Sequence, residues 1–134
     1  MKLTRASSYA LHAVAYMATQ KQQDKPVASH HIAQARGIPE RFLLKVLKPL
    51  VSARVLLSIK GPNGGYRLAK PASKITLLEI VEAADGPLRG LVPEVEGTAA
   101  AGLNRLLTEV CDAAADTTRK ELGKVRLSDL AGAH

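Results

Sequence analysis

Between helix-forming stretches, residues 55–59 (VLLSI) and 66–69 (YRLA) approach one another across GPNGG, with Lys60 before the glycines and Arg67 after them. Two short apolar runs on either side of a Gly, Pro and Asn cluster read as β-strands joined in a hairpin. Asn63-Gly64 is the strongest hairpin signal here, because both residue types tolerate positive φ. A glycine-rich loop that cradles a nucleotide phosphate needs a strand before it and a helix directly after it, so that backbone amides and the helix dipole meet the anion. A strand follows here, which excludes that class of enzyme site and leaves a projecting hairpin.

The rest of the chain reads as helices. Thr4 can cap a first helix that runs to about Gln20, with Leu11, Val14, Ala15 and Ala18 as its buried stripe. Ser29 is a cap for a short second helix, whose Ile32 and Ala33 face inward and which stops at Gly37. Pro39 suits the first position of a third helix, since it lacks the N–H that would have no partner there, and Glu40 complements the positive helix end. Phe42, Leu43, Val46, Leu47 and Leu50 form the oily face of that third helix, and Arg41, Lys45, Lys48 and Ser52 recur on the opposite one. Pro49 should bend its last turn.

Thr76 and Glu79 make a capping box for a fourth helix that Asp85-Gly86-Pro87 ends. Residues 87–101 then read as an irregular loop. Residues 102 to about 123 form a long amphipathic helix with Leu103, Leu107, Val110 and Ala114 near a 3.5-residue seam, and LSDLA is a closing turn capped by Ser128. In a chain of 134 residues with 46% hydrophobic and 3% aromatic residues, such helices pack through aliphatic stripes. The fold class is therefore mainly α: a winged helix-turn-helix with a two-stranded β wing, plus a long C-terminal helix. Residues 1–86 are expected as the winged domain, 87–101 as a connecting or effector loop, and 102–134 as the long helix and closing turn.

Charge divides the same way. Residues 1–70 carry 12 Lys and Arg against only Asp24 and Glu40, a net of +10, whereas residues 71–134 carry 7 Lys and Arg against 10 acids, a net of −3. A basic front half points to a polyanion. Two helices joined by a tight turn, the second cationic outward and followed by a basic hairpin, match a helix-turn-helix whose second helix enters the major groove of double-stranded DNA. Phosphate contacts are expected from Thr4, Ser7 and Tyr9 at the start of the first helix, from Lys48, and from Lys60 and Arg67 around the hairpin tip that Asn63 and Gly64 shape. Base edges fall to Arg41 and Lys45, whose donors match guanine acceptors. The plain alternative for Ser7 and Tyr9 is capping and core packing. The rival for the whole basic surface is an acidic protein partner, with structured RNA as a third reading.

Other chemistry finds no constellation. His12, His30, His31 and His134 share no metal-ligand spacing with acids or with Cys111, the single cysteine, and no Ser/His/Asp or Cys/His arrangement can be assembled. No enzyme activity, metal or cofactor is expected. The start of the chain looks superficially like a signal peptide, but Tyr9, His12 and Tyr16 interrupt its apolar stretch, and no run approaches the ~18 apolar residues of a membrane span. One cysteine makes no disulfide within the chain, so a cytoplasmic protein without a membrane role is expected.

The stretches LTRASSYALHAV, IAQARGIPERFLLKVLKPL, VLLSIKGPNGGYRLAKP, ITLLEIVEAADGP and LSDLA resemble, in order, the Rrf-two family of bacterial winged-helix transcription regulators, those of the IscR, NsrR and CymR type. The resemblance implies a homodimer held by the long helix that binds a roughly palindromic operator and usually represses. It also exposes a departure. Cluster-binding members have three cysteines in the loop before the long helix, whereas PLRGLVPEVEGTAAAG has none, and Cys111 falls inside the helix. The signal is then a thiol reaction at Cys111, or a small-molecule or protein effector at the loop, or nothing at all in a constitutive binder.

Overall fold

Thr4 begins the first helix as its sequence requires. In the computed structural model, which describes residues 1–132, the Thr4 hydroxyl accepts from the Ser7 N–H at 3.0 Å and opens α1 (Arg5–Ala18). The buried face of α1 is Ser7, Ala10, Ala13, Val14 and Met17, and Leu11, Ala15 and Ala18 are only half-buried. The expected stripe was rotated by about one residue, because α1 is apolar on several sides and its small alanines turn toward the neighbouring helices.

α2 (Ser29–Arg36) buries Ile32 and Ala33 and ends at Gly37, whose φ of 64° is the left-handed conformation glycine adopts without strain. Ser29 is not its cap. Ala28 holds the cap position without a side-chain bond, and the Ser29 hydroxyl instead donates to Glu40 Oε1 at 2.9 Å, linking α2 to the start of α3. α3 (Glu40–Ser52) takes Pro39 as its N-cap and buries Leu43, Val46, Leu47 and Leu50. Phe42 is 37% exposed and not part of this face. It lies one residue, about 100° of helix rotation, from Leu43.

The hairpin pairs β1 (Leu56–Ile59) with β2 (Gly65–Leu68) antiparallel, from Leu56↔Leu68 to Ile59↔Gly65. Its turn differs from the Asn-Gly expectation. Positive φ occurs at Gly61 (113°) and Gly65 (149°) and not at Asn63 or Gly64, and the Gly64 N–H donates to Gly61 O at 3.0 Å across Pro62-Asn63. Gly64 is required by space, since a Cβ there would lie 2.1 Å from the Ile59 carbonyl oxygen. Val27, in the segment before α2, pairs with Tyr66 through two hydrogen bonds of 2.8 Å and anchors the hairpin from its other side.

α4 (Leu77–Asp85) starts with the expected capping box: Thr76 Oγ1 accepts from the Glu79 N–H at 3.1 Å, and Glu79 Oε1 accepts from the Thr76 N–H at 3.2 Å. An irregular stretch leads to a 3-10 turn (Thr98–Ala100) and α5 (Ala101–Gly123). The chain then returns. The Leu127 N–H donates to Ile75 O at 2.8 Å, the Leu77 N–H donates to Val125 O at 2.9 Å, and Leu127 is fully buried in α6 (Leu127–Ala131) within the same core as Ala10, Leu47 and Ile80. Ser128 is not the cap of α6; the Asp129 carboxylate accepts from the Arg126 N–H at 2.9 Å. The core lies where α1, α3, α4 and α6 meet, and α5 contributes no buried residue. Arg119 of α5 pairs with Glu82 of α4, whose carboxylate also accepts from the Leu88 N–H at 2.7 Å. Among the described residues no helix is long and apolar enough to cross a membrane.

Candidate nucleic-acid interface

Helix α3 owes its position to its inner face. With Leu43, Leu47 and Leu50 fully buried, the rotation of the helix is fixed and Arg41, Lys45 and Lys48 are turned to solvent. The turn Gly37-Ile38-Pro39 sets α3 against α2, with Ile38 buried as its anchor. Leu44, a residue that periodicity alone did not single out, is also exposed, between Arg41 and Lys48 on successive turns. On the hairpin, Lys60 and Asn63 are exposed, and Gly64 and Arg67 are half-buried. A surface groove of about 850 Å³ separates the hairpin tip from the start of α2; Asn63 and Gly64 line one side, and Lys21, Lys25, His30 and His31 lie around it.

Ion pairing distinguishes the cations of α3 and the hairpin from three others. Lys70, Arg119 and Lys124 each meet a glutamate, at 2.8 Å for Lys70–Glu79 and 3.1 Å for Lys124–Glu121. Among the described residues Arg41, Lys45, Lys48, Lys60 and Arg67 meet none. Adjacent cations left without acids repel one another, a cost that a polyanion lying across them would reverse.

The start of α1 is built differently from the expectation. Ser7 is fully buried and its hydroxyl donates to Asp85 Oδ2, while Thr4 Oγ1 donates to Asp85 Oδ1 at 2.6 Å. Ser7 is therefore an internal strut and not a surface phosphate contact. Three residues beyond the cap, it faces α4 and the carboxylate that ends that helix. The Thr4 hydroxyl is engaged by the same carboxylate, and Tyr9 is half-buried against the core. For Ser7, packing is the plainer reading that its burial matches.

On α5, Leu103, Leu107 and Val110 are 60%, 43% and 65% exposed, Ala114 is exposed, and Leu106 joins them at 55%. Cys111 is half-buried. Gly90 lies so close to α5 that a Cβ on it would sit 2.6 Å from the Asp112 backbone nitrogen, so the connecting loop crosses the helix beside Cys111. His134 lies outside the described residues, and among those described no three His, Cys, Asp or Glu side chains come together as a metal site.

Known proteins resemble this chain over most of its length. The Rrf2 family, described as an iron-dependent transcriptional regulator, matches residues 3–133. The chain belongs to the Rrf2 family. A Mycobacterium tuberculosis protein designated an HTH-type transcriptional regulator is 32% identical over 133 residues, covering 98% of this chain and 82% of that protein. Protein aau3 of Rhizobium meliloti is 39% identical over 82 residues, covering 61% of this chain and 52% of the relative, so the match spans about half the length of that protein. Among solved structures, CymR, the global cysteine regulator of B. subtilis, superposes with a TM-score of 0.74 at 28% identity, over 98% of this chain and 96% of CymR. The helices and hairpin described above are thus a winged helix-turn-helix, and the chain is a DNA-binding transcription regulator and not an enzyme. The family description names iron. The donors here do not fit an iron–sulfur cluster held by one chain, which takes several thiolates where this chain has Cys111 alone.

Proposed function

We propose that the protein is a cytoplasmic homodimer that binds a roughly palindromic operator, represses the genes beside it, and does so without an iron–sulfur cluster. The observation that carries the dimer is α5: a 23-residue helix whose Leu103, Leu106, Leu107 and Val110 face solvent and which, among the described residues, pairs with α4 by charge only through Arg119–Glu82. An apolar stripe of this length is covered in water by a like stripe, and two-fold symmetry brings the same patch from each copy together. The second copy also sets two α3 helices on one face of a duplex, where successive major grooves recur about every 34 Å.

Within each half, Arg41 and Lys45 read base edges, and Lys48, Lys60 and Arg67 hold phosphates, with Asn63 and Gly64 shaping the wing tip against the backbone. A small-molecule or protein effector acts on the loop of residues 87–101, where Leu91 is 80% exposed and which touches α5 at Gly90. Absence of a cluster follows from the donor set and has a direct test. Anaerobic reconstitution with iron and sulfide should leave the visible spectrum flat; a stoichiometric brown species would overturn it. Genome-wide mapping of bound sites, with transcript levels measured after deletion of the gene, tests the rest. Inverted-repeat sites and raised transcripts are expected, and asymmetric sites or lowered transcripts would contradict the reading.

A further inference from the structure

The chain has a single phenylalanine and no tryptophan, and its three tyrosines all pack against the core. Phe42 alone among its aromatics sits outward, on the helix proposed to enter the groove. Exposing an aromatic ring there forgoes the burial that Leu43 gains one residue later, so the ring's neighbours become the question. The guanidinium carbon of Arg41 lies 4.7 Å from the ring centroid, and the Lys45 ammonium nitrogen lies 5.9 Å from it. Both fall within the ~6 Å over which a ring's quadrupole attracts a cation. These are the two cations assigned to base edges; Lys48, assigned to phosphate, makes no such contact among the described residues.

We infer that Phe42 is a positioning residue: its ring orients Arg41 and Lys45 for base reading before DNA arrives. An unrestrained arginine or lysine must surrender much of its rotamer freedom on docking, whereas a side chain already resting on an aromatic face surrenders less. A bidentate contact to guanine needs the guanidinium plane aligned, and stacking on a ring fixes that plane. Lys45 lies one turn after Arg41, so one ring between them serves both. The inference deepens the DNA-reading proposal and rests on it.

The test uses the full-length protein and a duplex that the wild type selects from a random pool, compared with an unselected duplex. Phe42→Leu keeps apolar bulk and removes the aromatic face. It should lose about three- to fivefold in affinity for the selected duplex, the size of an exposed cation–π contact, with no change on the unselected duplex or in salt dependence. Phe42→Tyr keeps the face and should bind as wild type does. In an Arg41→Ala, Lys45→Ala background, Phe42→Leu should cost nothing further, since the cations it orients are gone. Equal affinities for wild type and Phe42→Leu on the selected duplex would overturn the inference. So would an equal loss on both duplexes, or a loss that persists in the double-alanine background, which would make the ring a direct contact. A wild type that selects no duplex would refute the DNA-reading proposal itself, and that result appears before any variant is made.

Discussion

Helices α3 and α5 are both amphipathic, and both carry aliphatic residues at helical spacing, yet they use those residues in opposite ways. In α3 the stripe Leu43, Val46, Leu47 and Leu50 is buried by α1, α2 and α4 of the same chain, so the helix is fixed in rotation and its cations are aimed outward. In α5 the stripe Leu103, Leu107 and Val110 stays in solvent, because the chain folds back through Val125–Leu127 onto α4 and α1 and leaves the long helix outside its core. Amphipathicity thus establishes that a face will be covered, but not by what. For α3 the cover is internal and serves to position a site. For α5 no cover comes from the described residues of the same chain, and the proposed dimer would supply it.

The contrast can be broken most strongly at the core. Leu47→Ala removes a fully buried side chain and should lower stability to urea by about 3 kcal/mol, with loss of DNA binding once the fold gives way. Leu107→Glu together with Val110→Glu should leave the secondary structure of the chain intact by circular dichroism. It should also weaken self-association by at least about 2 kcal/mol in sedimentation equilibrium, the size of an interface hot spot. If those two changes unfold the chain as severely as Leu47→Ala does, α5 is core after all.

Asp85, at the end of α4, ties that helix to α1 and sharpens the comparison at the next scale down. Its carboxylate holds Thr4 and Ser7 at the start of α1, one residue before the chain turns toward the loop and α5. Asp85→Ala leaves the buried Ser7 hydroxyl without a partner and should cost about 1.5 kcal/mol in thermal or chemical unfolding. In a Ser7→Ala background the same change should cost less, because both members of the bond are then gone. The smallest effects belong to the wing. Lys60→Ala and Arg67→Ala should each reduce the slope of log affinity against log salt by about one, without altering sequence preference.

Most of the architecture was legible in the sequence, since each element carries a local signal that its neighbours do not contradict. Thr76 and Glu79 form their capping box as read, Gly37 closes α2 in the left-handed conformation, and the two strands pair across GPNGG. What was misread depends on contacts distant in the chain. Phe42 looked like core because it is apolar beside a buried stripe, and only the placement of that stripe shows it one residue too far round. Ser29 and Ser128 looked like caps, but a hydroxyl can choose among partners, and Glu40 and Asp129 supplied other arrangements. For Ser7 the sequence leaves phosphate contact and packing both open; the carboxylate that makes its burial tolerable comes from Asp85, far along the chain. The pairing of Val27 with Tyr66, and the return of Leu127 into the core, had no periodic signature at all.

In the proposed complex α3 and the wing form one surface that grips a duplex, with bases read by the helix and phosphates held by the hairpin. The most direct test is a salt titration of duplex binding for the wild type and for a variant carrying Arg41→Ala, Lys45→Ala, Lys60→Ala and Arg67→Ala, on both a selected and an unselected duplex. The wild type should lose affinity steeply as salt rises and prefer the selected duplex. The variant should bind both duplexes weakly and alike, with a much shallower salt dependence. A variant that bound either duplex as tightly as the wild type, with the same slope, would show that this surface does not meet DNA.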